Sequence, residues 1–208
     1  MKRDHVKRGL DFTLAAFALV VLSPLLAVLW LGVYLSSPGP AVFSQRRLGR
    51  DERPFTMYKF RSMRAGNDDA AHRAYVSQML TGATPAPAAA NGLYKLAGDP
   101  RITPFGGWLR RTSLDELPQL VNVVRGDMSL VGPRPVLAWE AELFDEAARI
   151  RFRVRPGLTG LWQVSGRGQL TMRQALDLDA EYVRRQSLGL DLVILARTVP
   201  AQLRRGTA

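Results

Sequence analysis

Two adjacent carboxylates, Asp115 and Glu116, stand in the segment RRTSLDELPQL at residues 110–120. Arg110 and Arg111 lie five and four residues upstream of Asp115. Guanidinium groups bind phosphate through paired hydrogen bonds and keep a nearby carboxylate ionised. A carboxylate nucleophile beside arginines suits attack on phosphorus, because the cations screen the repulsion between two anions. The segment is therefore a candidate site for chemistry at phosphorus.

The same acid pair also has a purely structural interpretation. Ser113 and Glu116 match a capping box, in which Ser113 caps a helix N-terminus and Glu116 reaches back to it. Pro118 argues against this interpretation, because it would lie inside that helix and forfeit a backbone hydrogen bond. If the helix begins at Pro118 instead, the pair lies in the turn before an N-terminus that favours anions. Spacing alone leaves catalysis and capping both open.

The composition limits the chemistry that the chain can perform. It has 208 residues and no cysteine, and His5 and His72 are its two histidines. The length fits one domain, or one domain with an anchor. The lack of cysteine excludes disulfides, zinc–thiolate sites and thiol nucleophiles, and two histidines argue against histidine metal sites and most Ser-His-Asp triads. The net charge of +11 favours an anionic partner, which could be nucleic acid, anionic lipid or a phosphorylated small molecule.

Residues 12–35 form an apolar stretch of 24 residues without a charged side chain. As a helix this stretch would reach ~36 Å, against a hydrocarbon core of ~30 Å, so it predicts a membrane segment over the alternative of a buried core helix. Ser23 and Pro24 stand at its centre. Pro24 lacks an N–H and crowds the Val20 carbonyl, so we expect a kink there. The Ser23 hydroxyl is placed to bond that freed carbonyl.

Positive side chains flank both ends of this stretch, four before it and four within twenty residues after it. Positive residues prefer the cytoplasmic side of a membrane. Equal flanks therefore favour a re-entrant hairpin with both ends cytoplasmic over a spanning helix, which stays as the alternative. We divide the chain into a re-entrant membrane anchor at 1–37 and a membrane-associated cytoplasmic domain at 38–208. The flanking cations are Lys2, Arg3, Lys7, Arg8, Arg46, Arg47, Arg50 and Arg53.

The remaining segments predict a mainly α fold with a short β-hairpin, of the α+β class. Apolar and aromatic runs at 41–48 and 54–61, separated by turn residues, predict the hairpin. The tail at 190–205, apolar first and basic last, fits either a helix on a membrane surface or a helix packed in the core. The low-complexity loop ATPAPAAA at 83–90 is expected to be mobile. Helices are predicted over 65–80, 138–152 and 170–186.

Several motifs follow one another along the chain. A Ser-Pro break in an N-terminal membrane segment precedes YKFRSM, DPRITPFGGWLRRTSLDELPQLVNVVRGDMSLVGPRP, RPGLTGLWQVSGR and LDLDAEYV. This order resembles the bacterial sugar transferase family, the monotopic polyprenyl-phosphate phosphoglycosyl transferases, in its small form. The resemblance extends over nearly the whole chain. It implies transfer of a sugar 1-phosphate from a UDP-sugar to undecaprenyl phosphate with release of UMP, a re-entrant helix broken at Ser23-Pro24, and amphipathic helices at the membrane interface.

The resemblance also implies roles for individual residues. Asp115 would attack the β-phosphate and form a covalent phosphosugar aspartate, and Glu116 would assist as a base or through Mg²⁺ held by the two carboxylates. Arg110 would hold phosphate, with Arg111 beside it. Asp179 would be a polar contact near the nucleotide. Further candidate phosphate or nucleotide contacts are Lys59, Arg61, Arg134 and Arg167.

The implied partners are a UDP-sugar, undecaprenyl phosphate and membrane lipids, at the cytoplasmic face of the bacterial inner membrane. A homodimer is left open. Nucleic acid is not expected as a partner, because no aromatic-basic pattern of a known reader is present. Two competing hypotheses remain: a basic membrane-anchored binder of nucleic acid or anionic lipid without catalysis, and a membrane scaffold whose acid pair is only a helix cap.

Overall fold

A computed structural model describes residues 2–64, 70–81, 99–166 and 170–203. Within these ranges the fold is mainly helical with short two-stranded sheets, which confirms the predicted α+β class. The loop at 83–90 and Arg167 lie outside the described residues. The helices are α1 (Lys2–Val21), α2 (Ser23–Ser36), α3 (Ala70–Thr81), α4 (Pro104–Thr112), α5 (Gln119–Arg125), α6 (Ala138–Glu142), α7 (Glu146–Arg149), α8 (Leu161–Val164), α9 (Met172–Arg185) and α10 (Leu188–Leu203). The strands are β1 (Val42–Leu48), β2 (Pro54–Phe60), β3 (Ser129–Val131) and β4 (Gly157–Thr159), and short 3₁₀ turns occupy Arg50–Glu52, Leu114–Glu116 and Ile150–Arg153.

The apolar N-terminal segment folds as two helices, α1 and α2, which meet at an angle of 66°. The Ser23 hydroxyl donates to the Val20 carbonyl at 2.8 Å. Pro24 lies in the first turn of α2, where its missing N–H costs no helical hydrogen bond. The predicted kink is therefore confirmed. In the described part of the chain neither helix alone has the length and apolar character needed to cross a bilayer, and only the bent pair together meets that test.

The predicted β-hairpin is present. Strands β1 and β2 pair antiparallel, with Val42 opposite Phe60 and Leu48 opposite Pro54. The helix expected at 170–186 is also present as α9, and the Thr171 side chain caps it by accepting from the Gln174 N–H. The parallel pairing of β3 with β4 was not predicted. Strands of three residues are too short to carry a readable alternation of apolar and polar positions.

The prediction of one continuous helix at 138–152 is wrong. The segment divides into α6, α7 and a 3₁₀ turn. The break has a local cause at Asp145, whose carboxylate accepts a hydrogen bond from the Ala148 N–H at 2.8 Å and so starts a new helix. Short side chains of this kind compete with the helical backbone and favour cap positions. The buried face of the segment also differs from the predicted apolar spacing at Trp139 and Leu143, because Phe144 and Phe152 are the side chains that pack together in the core.

Helix α10 combines the two alternatives offered for the C-terminal tail. Ile194 is fully buried and packs with Val131 and Tyr182. Leu192 and Val199 remain 66% and 64% exposed on the same helix. One face of α10 therefore belongs to the core, and another presents apolar side chains outwards.

Asn122 of α5 attaches that helix to the open edge of β2. Its side-chain oxygen accepts from the Tyr58 N–H at 3.1 Å, and its amide donates to the Thr56 carbonyl at 2.7 Å. These two bonds imitate the ladder of a neighbouring strand. Asn122 is fully buried, so both backbone groups depend on it for a partner.

Helix α4 packs against α2, the second half of the apolar segment. Gly32 permits close contact, because a Cβ at this position would come within 2.6 Å of the Phe105 ring. Leu109 is fully buried in a cluster with Leu29 and Val33 of α2. We call this contact the α2–α4 seam. It fixes the end of α4, and therefore the turn that follows it, beside the apolar helix α2.

We predict that Asn122→Ala lowers the free energy of unfolding by about 2 kcal/mol, because it removes both hydrogen bonds that the buried Asn122 side chain makes to the Tyr58 N–H and the Thr56 carbonyl. Thermal unfolding of the purified chain in neutral detergent measures the change. Gln78→Ala, at an exposed position of α3, is the matched control and should shift stability by no more than about 0.5 kcal/mol. Equal melting temperatures for the two variants would contradict the role of Asn122.

Candidate active site

The acid pair lies on a tight turn between α4 and α5. Ser113 ends α4 in the left-handed conformation, with φ of 57°, and its N–H donates to the Leu109 carbonyl. The 3₁₀ turn Leu114–Glu116 follows, and α5 begins directly after Pro118. The Ser113 side chain makes no capping hydrogen bond. The capping-box interpretation is therefore wrong, and the expected helix start at Pro118 holds to within one residue.

Leucines on this turn hold the carboxylates in place. Leu114 and Leu117 flank the acid pair and pack into the cluster of the α2–α4 seam. Asp115 is 8% exposed, whereas the Glu116 side chain remains 19% exposed. The turn thus presents one nearly buried and one more accessible carboxylate beside the apolar segment.

Cations surround these carboxylates. Arg134 lies with its Nη1 3.7 Å from Glu116 Oε1. Burial lowers the pKa of Arg110 while the charge of Asp115 opposes that shift, so the two groups are neighbours. Lys59 of β2 is also within electrostatic reach of Asp115. We call Lys59, Arg110, Arg134, Asp115 and Glu116 the charged cluster; it contains three cations and two carboxylates.

The ammonium of Lys59 is held in an unusual environment. It lies 5.1 Å from the centre of the Phe43 ring. Burial, followed by the charge of Arg47, lowers the pKa of Lys59 to about 8, and Arg110 and Arg134 act in the same direction. A bound anion reduces the repulsion between cations that lie this close together, and diphosphate carries enough charge to pair with several of them.

Two buried arginines, neither of them predicted as a site residue, hold the loop that carries Arg134. Arg151 donates to the Arg134 carbonyl at 2.6 Å, and Arg47 donates to the next carbonyl, that of Pro135, at 3.4 Å. Each arginine is paired with a buried carboxylate: Arg151 with Asp179 at 2.9 Å, and Arg47 with Glu140 at 3.5 Å. No spacing in the sequence could have linked these distant partners, because each pair is formed by the tertiary fold.

Asp179, predicted as a polar contact near the nucleotide, lies inside the fold, and that role stays a prediction. It is 2% exposed in α9 and bonded to Arg151. Burial raises the pKa of Asp179 to about 6, against the opposing charges of Arg151 and Arg134. Asp179 is therefore joined to the charged cluster through Arg151, which donates to the Arg134 carbonyl.

Arg61, predicted as a phosphate contact, engages backbone carbonyls in this structure. It is 6% exposed, and its guanidinium donates to the carbonyls of Pro40 and Ser37 and, at 3.3 Å, to that of Val33. These carbonyls lie at the end of α2 and in the turn after it, where helical partners are lacking. Arg61 thus fixes the end of the apolar segment, and its role as a phosphate contact stays a prediction.

Arg111 is exposed on α4, one residue beyond Arg110, and the structure does not bring it into the charged cluster. Arg110 belongs to the half-buried face of the same helical turn. Successive residues on a helix point about 100° apart, which separates their side chains. Arg111 therefore stays a prediction as a phosphate contact, as does Arg167, which lies outside the described residues.

Magnesium is the expected metal, and the acid pair can supply only some of the oxygen ligands that it requires. Among the described residues no group of three or more histidine, aspartate or glutamate side chains could enclose an ion. Mg²⁺ in phosphate chemistry is commonly bound by one or two carboxylates together with substrate phosphates. Asp115 and Glu116 offer two such carboxylates. The residues present thus suit an ion held jointly with a diphosphate, and the metal site stays a prediction.

Comparison with known proteins identifies what the chain is similar to. The profile of the family described as "Bacterial sugar transferase" matches residues 2–205. An "Exopolysaccharide production protein ExoY" of Sinorhizobium fredii is 43% identical over 198 residues, covering 94% of this chain and 84% of the relative.

Two larger relatives match over the same region. An "Undecaprenyl-phosphate galactose phosphotransferase" of Salmonella typhimurium is 40% identical, over 98% of this chain and 41% of its own length. A "UDP-glucose:undecaprenyl-phosphate glucose-1-phosphate transferase" of Escherichia coli is 40% identical, over 93% of this chain and 39% of its own length. The chain therefore matches most of the smaller relative and less than half of each larger one.

We predict that the affinity of the charged cluster for pyrophosphate depends on the protonation of Lys59. With a pKa of about 8 in the free protein, Lys59 is charged at pH 7 and largely neutral at pH 9. Binding should weaken about tenfold between these values in the native chain and stay flatter in Lys59→Arg, which remains charged. Isothermal titration calorimetry measures both affinities.

Without pyrophosphate, the free energy of unfolding should rise with pH, whereas the affinity for pyrophosphate falls. Because the pKa of Lys59 is lower in the folded state than in the unfolded one, stability should rise as the pH increases from about 8 towards 10.5. Identical pH profiles of pyrophosphate affinity for the native chain and Lys59→Arg would contradict a role for Lys59.

Proposed function

The chain belongs to the bacterial sugar transferase family, and from that membership we propose that it transfers a sugar 1-phosphate from a UDP-sugar to undecaprenyl phosphate. The relatives whose names specify this reaction match nearly all of the chain. The observation that carries the proposal is the position of Asp115. It is a nearly buried carboxylate beside Lys59 and Arg110, on a turn anchored to the apolar helix α2.

The diphosphate of the donor binds to the cations of the charged cluster. Lys59 and Arg110 neutralise its phosphate oxygens, and Arg134, held by the backbone contacts of its loop, contributes a further guanidinium. These groups are fixed before the donor arrives. Their positive charge therefore needs little reorganisation when negative charge develops on the transferring phosphoryl group.

Catalysis proceeds in two displacement steps at the β-phosphorus. A carboxylate oxygen of Asp115 attacks this phosphorus, the bond to the bridging oxygen breaks, and UMP leaves with the bond's electron pair. The product of this step is a phosphosugar aspartate. A phosphate oxygen of undecaprenyl phosphate then attacks the same phosphorus, the bond to Asp115 breaks, and the carboxylate is restored. The lipid leaves as undecaprenyl diphosphate sugar, and the kinetics are ping-pong.

Glu116 acts beside the nucleophile. Its side chain is more exposed than that of Asp115 and lies near Arg134. From there it can hold a bound Mg²⁺ together with Asp115 and the donor phosphates. When bound, Mg²⁺ supplies charge neutralisation at the phosphoryl oxygens. Asp179 contributes indirectly, because its pairing with Arg151 supports the loop of Arg134.

The bent pair α1–α2 inserts as a re-entrant anchor from the cytoplasmic face of the inner membrane. Its exposed apolar side chains, including Phe17, Val20 and Val28, contact lipid. The α2–α4 seam then holds Asp115 near the level where a lipid phosphate meets water. This placement suits a reaction between a soluble donor and an acceptor that cannot leave the bilayer.

We expect Asp115→Asn to abolish transfer, with a loss of at least ~10³-fold, because the amide cannot act as the nucleophile. The measurements are UMP release from UDP-sugars in the presence of undecaprenyl phosphate and Mg²⁺, and mass spectrometry of the chain after incubation with donor alone. Asp177→Asn, on the exposed side of α9, is the matched control and should retain activity. Unchanged turnover, or product formation without an adduct at residue 115, would refute the proposed mechanism.

We expect His5→Cys and Arg53→Cys to react with a membrane-impermeant maleimide from the same side of the membrane, because both ends of a re-entrant anchor are cytoplasmic. The native chain has no cysteine, so each variant reports a single position. Val21→Cys, beside the break, should be protected from the reagent on both sides. Labelling of positions 5 and 53 from opposite sides would show a spanning segment instead.

A further inference from the structure

A second basic site lies at the start of α1. A cavity of about 430 Å³ opens there, and none of the five members of the charged cluster lines it. Segments from five parts of the fold contribute to its wall: α1, the 3₁₀ turn of the β-hairpin, the start of β3, the 3₁₀ turn before β4 with the residues after it, and the end of α9 with the residues after it. Its cationic lining residues are Lys7, Arg8, Arg50, Arg153, Arg155 and Arg184.

Hydrogen bonds give the cavity a built wall. Asp11 of α1 accepts from the Ser129 hydroxyl at 2.7 Å and from the Leu130 N–H at 3.2 Å, which joins α1 to β3. Lys7 is paired with Asp191 at 2.8 Å. Arg8 donates to carbonyls at the end of α5. These groups are occupied by the fold itself and fix the shape of the cavity.

The mouth of the cavity keeps positive charge that the fold does not neutralise. Arg50 and Arg155 share Asp4, at 3.0 and 3.5 Å, and Arg50 also lies 3.8 Å from Asp51. Arg153 and Arg184 are exposed, and within the described ranges neither has an ion pair or hydrogen bond to another residue. Six cations and two acids line the cavity, so an anion entering it meets a net positive surface with two guanidinium groups available.

Apolar helix faces border this opening. Along α1, just past the cavity, Leu10 and Phe12 are each 48% exposed. Leu188 lines the cavity at the start of α10, and Leu192 and Val193 are exposed on the next turn of that helix. A ligand that joins a phosphate to acyl chains would place its charged end in the cavity and its chains along these faces. Inorganic phosphate would bind in the cavity without contacting the apolar faces.

We propose that this cavity binds the phosphate headgroup of an anionic phospholipid, with Arg153 and Arg184 as its principal contacts. The inference rests on the proposed membrane placement of α1 and α2, but not on the proposed transfer reaction. Bound there, the lipid links α1, the β-hairpin turn and the end of α9 in a cavity that no residue of the charged cluster lines. The site thus adds a lipid-dependent contact to the anchor.

Thermal unfolding in a neutral detergent tests the proposal. Phosphatidylglycerol at saturating concentration should raise the melting temperature of the native chain by on the order of 5 °C relative to phosphatidylcholine, at constant ionic strength. The double variant Arg153→Gln/Arg184→Gln should lose this shift. Arg173→Gln/Arg185→Gln is the matched control; it removes the same charge from exposed positions of α9 outside the cavity and should keep the shift.

Three outcomes would overturn the proposal. Equal protection of the native chain and Arg153→Gln/Arg184→Gln by phosphatidylglycerol would show that the cavity is not the site. Equal protection by phosphatidylcholine would show that an anionic headgroup is not required. Protection by inorganic phosphate at matched ionic strength, without an effect of phosphatidylglycerol, would identify a soluble ligand. The readout needs no transfer activity, so failure of the catalytic proposal leaves its interpretation unchanged.

Discussion

The packing of α4 and the following turn against α2 is the constraint on which the candidate site depends. Leu109, Leu114 and Leu117 all enter the cluster that contains the buried side chains of α2. The acid pair is interleaved with these leucines, so burying them fixes where the carboxylates lie. Full burial of a leucine contributes about 1.5–3 kcal/mol, and Leu109 is fully buried while Leu114 and Leu117 are partly buried, so an alternative position of the turn is costly. A charged site is thereby held beside an apolar helix without any ionic contact between them.

The cationic side chains of the chain have two different roles. Some bind backbone groups within the fold, and others lie beside the acid pair. Arg47, Arg61 and Arg151 are largely buried and donate to backbone carbonyls, where they order loops and helix ends. Burial lowers the pKa values of Lys59 and Arg110, and the neighbouring charge of Arg134 acts in the same direction on both. Bringing such groups together costs free energy unless an anion is bound, so the fold is prepared for a polyanionic ligand.

Sequence reasoning succeeded where one local rule dominated. The kink at Ser23-Pro24 follows from the missing proline N–H, and the hairpin follows from two apolar and aromatic runs separated by turn residues. It failed where two rules competed. Asp145 ended the helix predicted through it, because its side chain capped a new helix.

The sequence by itself determined the membership of a family, the apolar segment with its break, and the residue types of the acid pair, because these are encoded in contiguous motifs. Only the tertiary structure decided which cations meet those carboxylates. Lys59, Arg110 and Arg134 come from three separate segments, and Arg151 finds Asp179 across 28 positions. Such partners are selected by the packing of helices and strands around shared cores. The order of residues along the chain does not show which distant residues lie close together in the folded protein.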